Sequence, residues 1–383
     1  MEKKITRILI ILICAVSLLG FSQPPSPTKS NLYVRVAIIK DKLSLRLIIK
    51  GPFSIYSLNT NEPLAEYRNL KTSIVTPTNY GIKIGRYSYF KIFGIKIVPK
   101  KDATIFVNKR RFRGQVDIVR QQDMTLLVVN HIDVESYIRG VLYHEVSHKW
   151  PLEAIKAQAV AARTYALYQA KVNEARDYDL TSDIYSQVYG GRTSEKYRTN
   201  MAVNRTLGEL LTFEGEIFPT YYHATCAGHT EDASRLWNID LPPLKGVECD
   251  FDSKSPHIRW KENLRLKDIQ VKLIKAGKKI GLIKEINILE INDSGRIDRL
   301  EIIDRRDSKI YLSGKEFRMI VGPNIIKSTN FTVKMRGYYA DFIGKGWGHG
   351  VGLCQWGAKS MSDCGFKYDE ILKYYYPGSE ISK

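Results

Sequence analysis

A predicted helix that ends on a carboxylate is the first place where this sequence offers chemistry. Ile138, Val141 and Leu142 precede Glu145 by seven, four and three residues, which are the spacings of one helix face. The carboxyl group therefore lies on the apolar side, where loss of water raises its pKa and keeps it protonated as a general acid. The alternative is a helix-end carboxylate that turns into solvent, and the pattern alone does not choose between the two.

The same letters spell a zinc-peptidase motif. Residues 144–148 read H-E-V-S-H, and in H-E-x-x-H enzymes the two histidines bind Zn²⁺ while the Glu acts as general base. Glu174 offers a third ligand. Against this, Pro151 follows His148 by three residues, so the helix should end there, and Glu174 lies beyond another complete helix. The sequence favours an acid/base role for Glu145 without metal.

Alternating glycines form a second feature. Every second residue from Gly344 to Gly352 is glycine, and in an extended strand these residues would fall on one face. Such a bare face admits a flat ligand ring, or it packs closely against another element. A phosphate-binding loop does not fit because no G-K-[ST] follows. We predict an extended strand with the side chains of Lys345, Trp347, His349 and Val351 on the opposite face.

The net charge and the first residues of the chain indicate what kind of partner it binds and where it acts. The chain has 383 residues, of which 59 are basic and 40 acidic, for a formal net charge of +19, so it should attract an anionic partner. Lys3, Lys4 and Arg7 precede an apolar run at 8–21, which is typical of an export signal or an N-terminal membrane anchor. Export argues against nucleic acid as the partner.

The cysteines beyond this run leave two interpretations open. His223, Cys226 and His229, with Cys249 later, offer four zinc-competent side chains. A disulfide between Cys226 and Cys249 explains both thiols without metal, and an oxidising compartment favours it. Cys354 and Cys364 would lie roughly 15 Å apart on a continuous helix, so their pairing requires the helix to end between them.

The elements that position these residues follow from periodicity. Residues 31–130 are rich in Val, Ile, Tyr and Phe and broken by turn residues, which predicts a β-rich region. Asp133 is a candidate N-cap for the helix that carries Glu145. Pro151 opens a second helix that reaches about Val172, and its stripe of Leu152, Ile155 and small alanines predicts a central helix. Glu214-Gly215 predicts a hairpin turn.

The predicted fold is α+β. Its parts are an export signal or anchor at 1–21, a linker at 22–30, a mostly β region at 31–130 and a mixed helix and strand catalytic domain at 131–383. An α/β segment is inserted in the last part at about 256–335, with a helix from Leu266 to Ala276.

Several segments together resemble the stage II sporulation protein D and amidase-enhancer family. They are GVLYHEV at 140–146, WPLEAIKAQAVAARTYA at 150–166, SQVYGG at 186–191, TCAGHT at 225–230 with Trp237, and GHGVGLCQWGA at 348–358. The resemblance covers about 112–377.

This resemblance implies a lytic transglycosylase that acts on glycan strands stripped of stem peptides, with Glu145 catalytic and Arg163 supporting it. One carboxyl can protonate the glycosidic oxygen and then, as carboxylate, take the proton of the sugar's own 6-hydroxyl. Arg163 would bind anionic sugar substituents or steady developing charge. We expect the glycan to contact Gln158, Gln187, Tyr189, His223, Thr225, Trp237, Gly348, His349 and Gln355.

The resemblance also sets expectations for metal, partners and location. Some members bind zinc through Cys and His just before the S-Q-V-Y element, whereas 177–185 contains neither, so no cofactor is expected there. The expected place is outside the cytoplasmic membrane, in the periplasm or the cell wall. Because family members are also described as enhancers of a wall amidase, a non-catalytic glycan-binding role that recruits such an enzyme stays open.

Overall fold

The computed structural model describes residues 32–184 and 186–383. The predicted export segment and linker lie outside them. Among the described residues, none of the helices combines the length and apolar content needed to cross a bilayer. The mixture of helices and strands confirms the predicted α+β class.

The first third of the described chain consists of strands, as predicted. Apolar residues at alternate or near-alternate positions face inward, as in Leu45, Leu47 and Ile49, which is the pattern of half-buried strands. The strands are β1 (Tyr33–Lys42), β2 (Leu45–Lys50), β3 (Phe53–Ser57), β4 (Pro63–Tyr67), β5 (Leu70–Thr78), β6 (Gly81–Ile84), β7 (Tyr87–Phe90), β8 (Gly94–Pro99), β9 (Thr104–Val107), β10 (Arg110–Phe112), β11 (Gln115–Arg120) and β12 (Leu126–Asp133).

Two helices follow β12 directly and carry the predicted site. The first, α1 (Val134–Glu145), begins at Asp133, whose carboxylate accepts a hydrogen bond from the Ser136 amide at 2.9 Å. The second, α2 (Leu152–Val172), begins after Pro151. Both helices and the Asp133 cap are confirmed, whereas Pro151 is the N-cap of α2 and not its first helical residue.

The β region and these helices share one hydrophobic core. One sheet has the order β13-β1-β12-β11-β8-β3-β4, where β13 is Leu180–Thr181, and a second has the order β10-β9-β2-β5-β6-β7. Val36 of β1, Ile138 of α1 and Ala159 of α2 belong to the same buried cluster. The sheets therefore hold α1 in place.

Helix α2 is buried on two sides, which explains its small residues. Ala159, Ala162 and Ala166 face the core of the sheets, whereas Ala157, Val160 and Ala161 face a second core. That second core is formed with β14 (Leu210–Phe213), β16 (Tyr222–His223), α4 (Ala233–Trp237) and β18 (Glu248–Cys249), and with elements at the end of the chain. The same part of the chain contains α3 (Tyr197–Arg205), β15 (Glu216–Ile217) and β17 (Gly228–His229), and α3 packs into the core of the sheets through Ala202 and Val203. The central position predicted for this helix is confirmed.

The predicted hairpin turn lies at Glu214 and Gly215, whose φ angles are positive at 52° and 81°.

Residues 260–344 form a separate hydrophobic cluster around Leu300 and Phe342. The elements of the cluster are β19 (Trp260–Arg265), α5 (Leu266–Lys275), β20 (Ile283–Ile291), β21 (Ile297–Asp304), β22 (Lys309–Ser313), α6 (Gly314–Val321), β23 (Phe331–Arg336) and β24 (Tyr339–Gly344). The chain then closes with β25 (Leu353–Cys354), α7 (Gln355–Asp363), α8 (Tyr368–Tyr375) and β26 (Glu380–Ser382).

Candidate active site

Glu145 opens into a cavity of about 480 Å³ that is also lined by residues of α4, of α6 and of the 347–349 segment. This volume is in the range of ligand pockets. Of the sequence-predicted residues, the cavity is lined by Glu145, His223, Trp237, Gly348, His349 and Gln355. The chain brings these residues together from five separate segments, so only the fold makes them one site.

The carboxyl group of Glu145 belongs to the last residue of α1 and is held at a fixed place. The Val188 amide donates a hydrogen bond to its Oε1 at 3.0 Å, and the side chain of Gln355 is a second hydrogen-bond partner. Burial raises the pKa of Glu145 to about 7, although both hydrogen bonds act in the opposite direction. The helix C-terminus also disfavours negative charge. Glu145 can therefore both give and take a proton near neutral pH.

A buried polar network fixes the segment that holds Glu145. Gln187 accepts from the Tyr137 hydroxyl at 3.0 Å and donates to the Ala162 carbonyl at 3.1 Å and to the Tyr222 hydroxyl at 2.9 Å. Gln187 is only 1% exposed and does not line the cavity. It positions Val188 instead of contacting a ligand.

The glycine-alternating segment is not a strand, so that prediction was wrong. Strand β24 ends at Gly344, and Gly346, Gly348, Gly350 and Gly352 have φ angles of 77°, 117°, 94° and 70°. These values favour glycine. A Cβ on Gly348 would lie 2.6 Å from His223 Cβ. The glycines are needed because the loop turns repeatedly and passes close to other backbone.

Aromatic rings form one wall of the cavity. Tyr221 and Trp237 stack with ring centroids 4.2 Å apart, and His349 meets the Trp237 ring edge-on at 5.2 Å. Burial lowers the pKa of His349 to about 3, with Arg318 adding to the effect, so His349 stays neutral. Aromatic faces of this kind suit the apolar face of a sugar ring.

His223 adds a neutral acceptor to the same wall. Its Nδ1 donates to the Val351 carbonyl at 3.1 Å, so Nε2 carries the lone pair, and within the described chain Nε2 has no hydrogen-bond partner. Burial lowers the pKa of His223 well below its usual value. His223 therefore offers an acceptor and no charge.

Two cations of the cavity were missed at the sequence level. Lys315 and Arg318 line it from α6 of the inserted segment. Burial lowers the pKa of Arg318 to about 10, so it remains charged at neutral pH. Lys315 donates to the Leu236 carbonyl at 2.5 Å. They were not predicted because they lie far from Glu145 in the sequence. The feature that could have indicated them is two basic residues three positions apart on one short helix.

Arg163 does not line the cavity, which corrects the role expected for it. Its side chain is fully buried and forms a forked pair with Glu135, with both nitrogen-to-oxygen distances 2.9 Å. It also donates to the Glu209 carbonyl at 3.0 Å. Because the guanidinium donates to these acceptors, it links α1, α2 and the 206–209 turn. It does not point into the cavity, so it is not placed to bind a substrate there.

Three other expected contacts are also structural. Gln158 is 1% exposed and accepts from Gln355 at 3.3 Å. Tyr189 is buried and donates to Asn130 at 2.9 Å. Thr225 exchanges backbone hydrogen bonds with Trp347 at 3.0 and 2.9 Å. None of the three lines the cavity. Gln158 and Thr225 instead hold Gln355 and Trp347, which do line it. Tyr189 packs in the core.

The H-E-x-x-H letters do not form a metal site. Because α1 ends at Glu145, His148 lies outside the helix and the two histidines are not one turn apart. His144 instead lies 2.6 Å from the Ser194 hydroxyl. The helix therefore ends before Pro151 as predicted, but at Glu145 and not after His148.

The four cysteines of the described chain are thiols, and their grouping differs from the expected one. Cys354 and Cys364 cap opposite ends of α7, so the helix itself keeps them apart. Cys226 does lie with Cys249, but Cys354 and Asp252 join them. His223 and His229 turn to backbone carbonyls of Val351 and Thr230 and are outside the group.

Two family models match parts of this chain. A family model described as stage II sporulation protein matches residues 122–213, which include α1, Glu145 and α2. A model of a domain of unknown function matches residues 244–352, which include the inserted segment.

Relatives extend this match over most of the chain. Stage II sporulation protein D of Bacillus subtilis is 31% identical over 270 residues, which are 67% of this chain and 76% of that protein. An uncharacterized protein of Brachyspira hyodysenteriae is 32% identical over 352 residues, 91% and 92% of the two chains. The amidase enhancer of Bacillus subtilis is 29% identical over 292 residues, 64% of this chain and 40% of that protein. The chain belongs to the stage II sporulation protein D family.

Proposed function

We propose that this chain is a peptidoglycan lytic transglycosylase that cuts peptide-stripped glycan strands with Glu145 as its single acid and base. One observation carries the proposal: the Glu145 carboxyl, held by the Val188 amide, opens into a cavity of about 480 Å³, and burial raises its pKa to about 7. Near neutral pH both protonation states of Glu145 are populated, as a two-way proton carrier requires.

The chemistry balances with this one group. Protonated Glu145 gives its proton to the glycosidic oxygen, the bond from the anomeric carbon to that oxygen breaks, and the leaving sugar departs as an alcohol. The carboxylate then takes the proton of the 6-hydroxyl, whose oxygen bonds to the anomeric carbon. The products are a new free sugar end and an anhydro end, Glu145 is protonated again, and no water is consumed.

The charges of the cavity support a peptide-free substrate. Removal of a stem peptide leaves the lactyl carboxylate of the glycan strand free, whereas an attached peptide converts it to a neutral amide. Lys315 and Arg318 line the cavity with Glu145, and cations near an anionic group favour its binding. The aromatic wall of Tyr221 and Trp237 supplies the apolar contact for a sugar ring.

The test is a product assay. The full chain is incubated with peptide-free glycan strands and the products are separated by mass spectrometry. We expect anhydro-ended saccharides from the wild type and a loss of about 10²- to 10⁴-fold in rate for Glu145→Gln. Equal release by that variant would refute the assignment. Glu214→Gln, in the exposed hairpin turn, is the matched control and should keep full activity.

The relative named amidase enhancer supports a second candidate. In that role the chain would hold glycan in the same cavity and recruit a wall amidase without cutting the strand itself. Stimulation of a wall amidase that survives Glu145→Gln, together with inactivity of the wild type on every glycan tested, would favour this function.

We also propose that the chain acts outside the cytoplasm, at the membrane surface, the periplasm or the wall. The basic and apolar segment at residues 3–21 and the nature of the substrate support this place. A sporulation role and general wall remodelling are both compatible with the chemistry.

A further inference from the structure

Three buried cysteines and one aspartate converge behind the active-site wall. The ligand atoms of Cys226, Cys249, Asp252 and Cys354 all lie within 4.8 Å of one another. The Asp252 Oδ2 is 3.2 Å from Cys226 Sγ and 3.6 Å from Cys354 Sγ. Among the residues that the structure describes, no other group of three or more His, Cys, Asp or Glu side chains comes together in this way.

The spacing of the four atoms is close to what a tetrahedral cation needs. Zinc-to-sulfur bonds of about 2.3 Å place two sulfurs ~3.8 Å apart at a tetrahedral angle. A contraction of about 1 Å or less would therefore bring all four atoms to bonding distance. Cys249 and Asp252 are separated by two residues, which is a common spacing for two ligands from one turn. The other two ligands come from distant segments.

The surroundings of the sulfurs match those of metal-bound thiolates. Cys354 Sγ accepts hydrogen bonds from the amides of Cys226 and Gly357 at 3.3 and 3.4 Å. Cys249 Sγ lies 3.1 Å from the Tyr375 hydroxyl. Asp252 accepts from the Ala227 amide at 2.6 Å. Donors aimed at the ligand atoms orient them and stabilise their negative charge.

A buried cation lies beside the group. Arg296 is 1% exposed, donates to the carbonyls of Cys226 and His229 at 2.8 and 2.9 Å, and interacts electrostatically with Cys354 and Asp252 as well as with Glu231. Three thiolates and a carboxylate around a divalent cation leave a net negative charge. A guanidinium stays charged when buried, so Arg296 offsets part of that charge.

We propose that Cys226, Cys249, Asp252 and Cys354 form a structural site for a thiophilic divalent cation, Zn²⁺ being the fitting one. A closed site with four protein ligands is typical of structural zinc. The site does not include residues 177–185, which contain neither Cys nor His. It is formed instead by the T-C-A-G-H-T segment, the 249–252 turn and the start of α7.

A disulfide explains the group less well. It would join two of the three sulfurs and leave the third thiol and a buried carboxylate beside it. It gives no role to Asp252, which faces two sulfurs. All four groups have a role when they share one cation.

The cation would also fix the active site. Cys354 directly precedes Gln355, which contacts Glu145. Cys226 follows the segment of His223 and Ala224 that lines the cavity. Binding would join these two segments and so hold Gln355 against the catalytic carboxyl.

The test measures metal in the full chain, purified without chelator under mild conditions. We expect about one zinc per chain, retained by Cys364→Ser and lost by Cys226→Ser and Cys354→Ser. Cys364 is exposed and outside the group, so it controls for the loss of one cysteine. Chelator in mild denaturant should remove the zinc from the wild type and lower its Tm, and added Zn²⁺ should restore it.

A second measurement covers variants that fail to fold. Wild-type protein is stripped of metal and given Co²⁺ alone. Thiolate-to-cobalt charge-transfer absorption and the visible bands of tetrahedral cobalt support the site. A wild-type chain that binds neither Zn²⁺ nor Co²⁺, zinc kept by folded Cys226→Ser and Cys354→Ser, or a disulfide among Cys226, Cys249 and Cys354 found by mass spectrometry would each overturn it.

Discussion

Replacing Glu145 by Gln should stabilise the folded chain at alkaline pH while it removes glycan cleavage. Burial raises the pKa of Glu145 from an ordinary 4.5 to about 7. Because the folded pKa is the higher one, the folded chain binds the proton more tightly than the unfolded chain does. Its stability therefore falls as pH rises from about 4.5 to about 7 and then levels off.

The size of this effect follows from the pKa difference. A shift of about 2.5 units, from 4.5 to about 7, corresponds to roughly 3 kcal/mol between the protonation states. At pH 5 most of this penalty is absent, and at pH 8 nearly all of it is present. The neutral amide introduced by Glu145→Gln would carry no such penalty, so the advantage of this variant should grow by about 2 to 3 kcal/mol between these pH values.

Urea unfolding at pH 5, 6, 7 and 8 measures this advantage. The free energy of unfolding of wild type and Glu145→Gln is compared at each pH, with Glu214→Gln as control for the loss of one carboxyl. A difference between Glu145→Gln and wild type that stays constant across this range would refute the raised pKa. It would also remove the main physical reason for assigning Glu145 as the acid.

Three further substitutions test the parts around Glu145. Gln355→Leu removes a hydrogen bond that lowers the Glu145 pKa, so the upper limb of the pH–rate profile should move to higher pH; an unmoved limb would contradict the contact. Arg163→Met leaves Glu135 without its partner in a largely buried position and should cost about 3–5 kcal/mol in urea unfolding, while the KM of folded protein stays unchanged; a raised KM with intact stability would return Arg163 to the substrate. Lys315→Met should raise KM for peptide-free glycan more than for peptide-bearing glycan, and equal effects on both would argue against recognition of free carboxylates.

Local patterns in the sequence sufficed to predict the elements next to Glu145. The helix from Asp133 to Glu145 has its N-cap, its apolar spacing and its end before Pro151 all within roughly twenty neighbouring residues, and such short-range signals depend little on the rest of the fold. The glycine segment was misjudged because alternation of glycines describes both a bare strand face and a loop of left-handed turns. Only the neighbours that approach it, such as His223 at Gly348, decide between them.

The sequence by itself therefore determined the α+β class, helices α1 and α2, and a carboxyl on an apolar helix face. The tertiary structure decided which groups lie around this carboxyl. Arg163 is buried in an ion pair with Glu135, whereas Lys315 and Arg318 line the cavity. Cys226 and Cys354, 128 residues apart, meet beside Asp252. Such contacts depend on how distant segments pack, and no spacing along the chain records that.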